Sequence, residues 1–523
     1  MKNFKTIKIQ LFASFLLLIG SIQPGFSSIV DMAENQNWQG VQASISTEDV
    51  NERQPDGMSA LFWAVYYDQT DMVRLLLNAN ANADANNRFG MTPLIQASMN
   101  GNGAVISMLL DSSANPNTYT LQGDTALMNA AKAGSTTGVQ ALIEAGAEID
   151  ARDSHLSQTS LMWAAANNNA EIVRILGENG ADINARSAEL EFAGITQGGP
   201  SGFLPSGGLT ALHHAARENA IQSVEVLLSL GANPNILDPQ GISPLRIAAA
   251  NANLDLAKIL IEGGSNINDG ALVDIMELEY KELAFARAAT NYTNQTTVRN
   301  LLTLMFDMGV DLDAYPETAL PYPHNSFTLG KGTSGRTALY NSTEGLHNDL
   351  MTLLLEEGAN PNSLSNGNTP LSAALFIMSG TRPSGVFTGV AERKLTDLMP
   401  TIQLLLNYGA DVNTLTGTGG SADGTLLHQA AFYGNDEVIE FLLDKGVDLS
   451  QKDSSNRTAL DIASGVPAVG DEMPTMGGMP ATETPIYENT MVILTEAMNA
   501  QGIAIEEYVA PPLEEGDEES GEA

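Results

Sequence analysis

The sequence predicts an all-α repeat solenoid, built from short helix-turn-helix units that stack in one dimension, with hairpin-like turns between units and capping units at the ends. Three observations predict it. The first is a recurring turn: Gly146-Ala-Glu-Ile-Asp150, Gly180-Ala-Asp-Ile-Asn184, Gly231-Ala-Asn-Pro-Asn235, Gly358-Ala-Asn-Pro-Asn362 and Gly409-Ala-Asp-Val-Asn413. The second is its spacing, since Thr47, Asn80, Ser113 and Gly146 stand at steps of 33 and Gly180 follows at 34. Self-similarity at that period marks a stacked array. The third is length: at 523 residues a single compact core would split into domains, whereas a solenoid grows without that limit.

Each unit justifies its own elements. A helix start is written in Gly57-Met-Ser-Ala-Leu61, Gly90-Met-Thr-Pro-Leu94, Gly123-Asp-Thr-Ala-Leu127, Gly208-Leu-Thr-Ala-Leu212, Gly241-Ile-Ser-Pro-Leu245, Gly335-Arg-Thr-Ala-Leu339 and Gly367-Asn-Thr-Pro-Leu371. Ser or Thr caps the helix and Pro suits its first turn. Small residues follow, as in Ala130-Ala131 and Ala215-Ala216, and allow close packing of first helices. A second, apolar helix such as Val226-Leu-Leu228 then runs into the turn, whose Gly adopts the left-handed conformation without a Cβ clash. Asn80 tolerates that conformation, while Thr47 and Ser113 fit it poorly and predict local differences.

The Thr-x-Leu-His-x-Ala lines Thr210-Ala-Leu-His213-His214-Ala215-Ala216 and Leu427-His428-Gln-Ala430-Ala431 carry a family likeness. Over roughly residues 32 to 508 the chain resembles the ankyrin-repeat family, in particular exported bacterial members. The resemblance implies non-covalent protein binding on a concave face edged by the hairpin tips, and it names no partner. It also implies that His213 and His428 are structural, their rings bonding backbone groups of neighbouring turns.

The ends and the irregular steps complete the organisation. Residues 1–27 read as a secretory signal peptide, with Lys2, Lys5 and Lys8 ahead of the short apolar run Leu11 to Gly20 and the small residues near Ser27. An uncleaved anchor is the competing reading, but the run is short of the ~20 residues a membrane span needs. Residues 32–51 form an N-terminal cap, read as one helix from Met32 to Ile45. Residues 52–187 hold regular repeats, 188–207 an insertion, 208–313 further repeats of which the last is divergent, and 314–333 a second insertion. Residues 334–464 hold repeats interrupted at 376–394, and 465–508 a divergent last repeat with an insertion and a second helix over Met491 to Met498. In the divergent unit a longer helix, Leu272 to Ala288, replaces the usual first one. Residues 509–523, with Glu514-Glu515-Gly-Asp517-Glu518-Glu519, form an acidic tail expected to be disordered.

Composition narrows function. A formal charge of −38, three units more negative once the leader's lysines are lost, disfavours nucleic acid and anionic membrane as partners. The chain has 0 Cys, which removes disulfides, thiolate catalysis and Cys-based metal sites. Gly330-Lys-Gly-Thr-Ser-Gly335-Arg336-Thr337 has Arg where a phosphate-binding loop needs Lys, and Gly417-Thr-Gly419 lacks a dinucleotide-binding unit around it. Adjacent His213 and His214 point about 100° apart on a helix and do not converge on a metal. Glu277 and Glu279 read as a solvated face, and the Asp/Asn-rich turns lack an EF-hand pattern, leaving at most weak calcium binding. No catalytic residue, cofactor or metal is therefore expected.

The expected partner is another protein, met after export to the periplasm or the extracellular space. Candidate contacts are Tyr66, Tyr67, Phe89, Met91 and Met99 near the N-terminal end, Phe192 and Phe203 in the first insertion, Tyr315 and Tyr322 in the second, and Phe432 with Tyr433 near the other end. Aromatics and Met are enriched at interface centres, although packing beneath the caps would also explain the paired aromatics. The insertions at 188–207 and 314–333 fall between units and are expected to wall a groove over Gly208 to Asp313. A rival reading is a hydrolase with a site built from insertion residues such as His324, Lys331, Arg382, Glu392, Arg393, Lys394, Asp471 and Glu472. A third is an envelope spacer without a specific partner.

Overall fold

The computed structural model describes residues 28–189, 207–280, 295–317, 335–376, 395–418, 421–467, 486–506 and 508. It is an all-helical repeat solenoid of stacked helix pairs, and its contacts divide it into two units.

Within the first unit the inner helices are α1 (Ile29–Glu34), α3 (Ala60–Tyr66), α5 (Pro93–Asn100), α7 (Ala126–Ala133), α9 (Ser160–Ala166) and α11 (Ala211–Arg217). The outer helices are α2 (Trp38–Ser44), α4 (Thr70–Asn78), α6 (Gly103–Asp111), α8 (Thr136–Glu144), α10 (Ala170–Glu178) and α12 (Ile221–Ser229). Inner helices stack on inner helices and outer on outer, each on its neighbour in sequence. The caps work as the sequence predicts: the Ser59, Thr92, Thr125, Thr159 and Thr210 hydroxyls each accept an N–H from the third residue onward. Buried Ala64, Ala97, Ala130, Ala164 and Ala215 let successive inner helices approach closely.

The N-terminal cap differs from the single helix expected. It is a helix pair, α1 and α2, broken at Gln36, whose φ is +60°. Ile29, Val30, Ala33 and Val41 are buried, so the cap forms a short repeat unit of its own and closes the core.

The recurring turn has a definite geometry. Gly146 has φ +87°, and the following Ala147 N–H reaches back to Leu142 O at 2.9 Å, satisfying a terminal helix carbonyl. Asn80 and Ser113 take the same left-handed geometry, with φ +62° and +67°. The local difference expected at Ser113 is thus absent, because the turn bond of Ala114 N–H to Leu109 O, 3.0 Å, enforces the backbone despite the Cβ. Thr47 does depart: its N–H bonds Ser44 O and it does not take a positive φ.

A side-chain ladder ties these turns together. Asn51, Asp84, Asn117, Asp150 and Asn184 accept, through side-chain oxygens, the N–H groups of Asn82, Asn115, Glu148, Asp182 and Asn233 in the next turn, at 2.6 to 3.1 Å.

The second unit repeats this architecture with interruptions. It contains α13 (Pro244–Ala250), α14 (Leu254–Glu262), α15 (Ala271–Tyr280), α16 (Val298–Asp307), α17 (Ala338–Glu344), α18 (Asn348–Glu356), α19 (Pro370–Phe376) and α20 (Leu395–Asn407). After a short β-ribbon of β1 (Thr416–Thr418) and β2 (Ser421–Gly424) come α21 (Leu426–Phe432), α22 (Asp436–Asp444), α23 (Ala459–Ala463) and α24 (Glu488–Gln501). The ladder continues here through Asn235, Asn268, Asp313, Asn362 and Asn413. The divergent first helix is α15; it starts at Ala271, where Asp269 caps its N–H, and residues beyond 280 lie outside the described ones. The last helix, α24, extends past the expected Met491 to Met498 at both ends and is stopped by left-handed Gly502. The β-ribbon is a sixth irregularity, unforeseen in the sequence, which lengthens the hairpin ahead of α21.

Among the described residues of this unit two ion pairs are buried. Arg246 Nε lies 2.7 Å from Asp274 Oδ2, at 1% and 3% exposure, and Arg457 Nη2 lies 2.8 Å from Asp453 Oδ2. The first joins α13 to α15, so the divergent helix is tied to its neighbour by charge where the usual cap sequence is missing.

Candidate functional site

Inner-helix positions on the face away from the outer helices follow from the cap, and their exposure runs from buried Gln96 to exposed Tyr66, Met99 and Lys132. The fourth residue after the cap is Trp63, Gln96, Asn129 and Trp163 in successive helices, and the seventh is Tyr66, Met99 and Lys132. In α3 they assemble an aromatic cluster. The Trp63 ring stacks on Tyr67 at 5.8 Å and meets Tyr66 edge-on at 5.6 Å, while Trp38 from the cap meets Tyr67 at 6.1 Å. Tyr67 donates its hydroxyl to Glu34 O at 3.2 Å, and Trp63 Nε1 donates to Gln54 Oε1 at 3.0 Å. Tyr67 is therefore largely a packing residue that pins the cap, whereas Tyr66 is 50% exposed. Two units along, Lys132 Nζ sits 4.1 Å over the Trp163 ring.

The hairpin tips supply a second row. Neighbouring tips are stitched by backbone: Arg88 N–H to Asp56 O, Leu121 N–H to Phe89 O, Ser154 N–H to Gln122 O and Ala188 N–H to Leu156 O, from 2.7 to 3.4 Å. Phe89, under the Arg88 guanidinium at 4.8 Å, is 53% exposed; Tyr119 and Leu121 on the next tip are 67% and 76% exposed. Met99 is 51% exposed, while Met91 is only partly so, held by its N–H to Asn87 Oδ1.

In the second unit Tyr315 is exposed, and Leu237, Leu364 and Leu415 are exposed at the same register position of their hairpins. Phe432 and Tyr433 meet edge-on at 5.2 Å and remain partly exposed. Burial, then Tyr487, pushes the Tyr433 phenol pKa up, which places it against the last unit.

Phe192, Phe203 and Tyr322 lie outside the described residues, as do His324, Lys331, Arg382, Glu392, Arg393, Lys394, Asp471 and Glu472, and the leader and acidic tail. The chain on either side of two insertions is described. Glu189 bridges Gly207, and Gly335 N–H donates to Pro316 O at 2.9 Å, so both insertions leave from hairpin stems. The groove expected over Gly208 to Asp313 rests on undescribed walls.

His213, His214 and His428 are built into the frame. His213 Nδ1 accepts the Thr210 N–H at 3.3 Å and His428 Nδ1 that of Thr425 at 3.1 Å, so the proton sits on Nε2; His428 Nε2 donates to Arg457 O at 3.1 Å. His214 is buried, with Arg217 Nη2 3.3 Å from its Nδ1; burial first, then Arg217 and His213, brings its pKa down to about 3. Among the described residues no three His, Asp or Glu side chains converge as a metal site. No helix among them is long and apolar enough to cross a membrane.

The family description for ankyrin repeats in three copies matches residues 29–120, 95–187 and 198–271, and that for ankyrin repeats in many copies matches 405–463. The chain belongs to the ankyrin-repeat family. Such repeats typically mediate protein–protein interaction and are usually non-catalytic. Similar proteins include the transient receptor potential cation channel subfamily A member 1 homolog of Caenorhabditis elegans, 27% identical over 44% of this chain. The human channel of that name is 25% identical over 49% of it. The chain covers only 15% and 23% of those relatives' own lengths. Human ankyrin repeat and SOCS box protein 16 is 37% identical over 12% of this chain and 14% of its own. Among solved structures, the human ASB11 ankyrin repeat domain matches 47% of this chain and 97% of its own at 23% identity and a TM-score of 0.36. The Bcl-3 ankyrin repeat domain matches 45% of this chain and 100% of its own at 24% identity and the same score.

Sequence reasoning missed Trp63, Trp163, Lys132, Tyr119 and Leu121. The signal that finds them is register: each stands at a fixed offset from a Thr or Ser cap or from the recurring turn.

Proposed function

We propose that this ankyrin-repeat chain is an exported scaffold that binds another protein non-covalently through the inner helices and hairpin tips, without chemistry of its own. The observation that carries the proposal is the exposed row of Tyr66, Phe89, Met99, Tyr119 and Leu121 on one unit. Aromatic and Met side chains are enriched at interfaces, where a few of them anchor binding. The frame beneath them is tied by caps, tip-to-tip bonds and the Asn/Asp ladder, so binding would cost little ordering of backbone. Export rests on the basic, apolar and small-residue order of residues 1–27.

The test uses Tyr66→Ala combined with Tyr119→Ala, leaving the packing residue Tyr67 intact. Partner retention from the native envelope, read by cross-linking and mass spectrometry, should fall while the melting temperature stays close to wild type. A variant that melts early yet keeps its partner would refute the surface assignment. Immunoblots of cell fractions, with and without residues 1–27, test export.

A further inference from the structure

The cations of the first unit are placed as unusually as its aromatics. Between residues 28 and 233 the sequence has eight Lys and Arg: Arg53, Arg74, Arg88, Lys132, Arg152, Arg174, Arg186 and Arg217. Arg74 and Arg174 lie on outer helices, and each pairs with a carboxylate three residues earlier, Asp71 and Glu171. The other six stand on hairpins or at the end of an inner helix. Of these, Arg53, Arg88, Lys132 and Arg152 meet no carboxylate within ion-pair distance among the described residues.

Each of the four is held by something else. Arg53 Nη2 donates to Asn86 O at 3.1 Å, and Arg152 Nη1 donates to Arg186 O at 2.6 Å and Ser157 O at 3.0 Å. Arg88 lies over Phe89, and Lys132 over Trp163. Acids on the same hairpins make other bonds without losing their charge. Asp56 takes the Met58 N–H, Asp153 takes the N–H groups of His155, Leu156 and Gln158, and Asp124 lies near Lys132 but beyond ion-pair distance.

At physiological ionic strength charges interact over about 8 Å, so a ligand on this face meets these cations individually and not the net charge of the whole chain. We infer, building on the binding face proposed above, that the first unit takes an acidic polypeptide segment carrying aromatic or large aliphatic side chains. Its carboxylates would meet Arg53, Arg88, Lys132 and Arg152, and its apolar groups would meet Tyr66, Phe89, Met99 and Tyr119. Prefixed guanidinium groups suit this, since Arg bound to backbone loses little freedom on meeting a carboxylate.

The test is panning of a random displayed dodecapeptide library on the whole protein, followed by fluorescence anisotropy of the recovered peptides. Recovered sequences should be acidic and aromatic. They should bind about tenfold more weakly to Arg88→Glu with Lys132→Glu, from two lost surface pairs with added repulsion. The milder Arg88→Gln with Lys132→Gln should give an intermediate loss, and both variants must melt like wild type. Neutral or basic peptides that still weaken on Tyr66→Ala with Tyr119→Ala would overturn the acidic preference and leave the binding face standing. Peptides insensitive to every variant, or no specific binder, would overturn both. Displacement of the peptides by a single-stranded oligothymidylate at lower concentration would mark a general polyanion site and overturn the assignment to polypeptide.

Discussion

At the scale of single residues, two buried groups carry testable energetics. Asp274→Ala leaves the Arg246 guanidinium in the interior without its 2.7 Å carboxylate and should cost about 3–5 kcal/mol. Urea denaturation would measure this, and replacing both partners by Leu should recover most of the loss. His214 contributes a pH dependence whose sign follows from burial. Its pKa falls from 6.5 to about 3 on folding, so between those values the unfolded chain holds more protons. The stability is fully present above pH 6.5 and is lost as pH drops toward 3; His428 shifts in the same direction. The urea midpoint should therefore decline on moving from neutral pH to about pH 5, and His214→Gln should flatten that decline. His428 was legible as a frame residue through the family resemblance of Leu427-His428-Gln-Ala430-Ala431. His214 was not, because only packing against Arg217 and Gln158 shows its environment.

At the scale of elements, turn and cap geometry makes sharper predictions. Ser113 holds φ +67° with a side chain that resists it, so Ser113→Gly should stabilise by about 1 kcal/mol. Gly57→Ala should destabilise by more than the backbone strain alone, because its φ is +91° and the new Cβ would stand 2.8 Å from Asn87 Cα on the next tip. Differential scanning calorimetry of the two variants, with Gly231→Ala as a site open around its Cβ, separates strain from collision. Asn117→Ala removes both the bond accepted from Glu148 N–H and the one donated to Gly146 O, a loss of about 1–2 kcal/mol visible in the melting temperature. The helices were legible element by element because caps, alanines and the left-handed turn are local signals. The cap was misjudged as one helix because its break at Gln36 is a left-handed residue that sequence rules assign to Gly or Asn. The ribbon of β1 and β2 escaped for the converse reason: Gly417 and Gly419 signal a turn, while strand pairing across it is a matter of the hairpin's neighbours.

At the scale of the whole molecule, a repeat array is held by nearest-neighbour contacts and depends on its ends. Removing residues 28–51 would uncover the face of α3 and α4 that Ile29, Val30, Ala33 and Val41 now cover. The truncated protein should melt about 5–10 °C lower and bind the dye ANS, which reports exposed apolar surface. Unchanged melting and no dye binding would mean that the cap is ornamental. The same removal takes away Trp38 and the Tyr67 anchor, so a partner that depends on Tyr66 should be lost with it.

What the sequence determined by itself is the repeat, its period, the order of helices and the places where units lengthen. These follow from local rules, where each cap, small residue and turn acts within a few positions of itself. What only the tertiary structure decided is which side chains share a surface. Tyr66, Met99 and Lys132 stand 33 positions apart in the chain and share a face because one stacking step carries each register position next to its counterpart, while the tips of Phe89 and Tyr119 are joined by the Leu121 N–H to Phe89 O bond. The Asn/Asp ladder, the cations that meet no carboxylate among the described residues and the division of Tyr66 from Tyr67 into exposed and packed side chains all arise at that step, since a bond between repeats is invisible until the repeats are stacked.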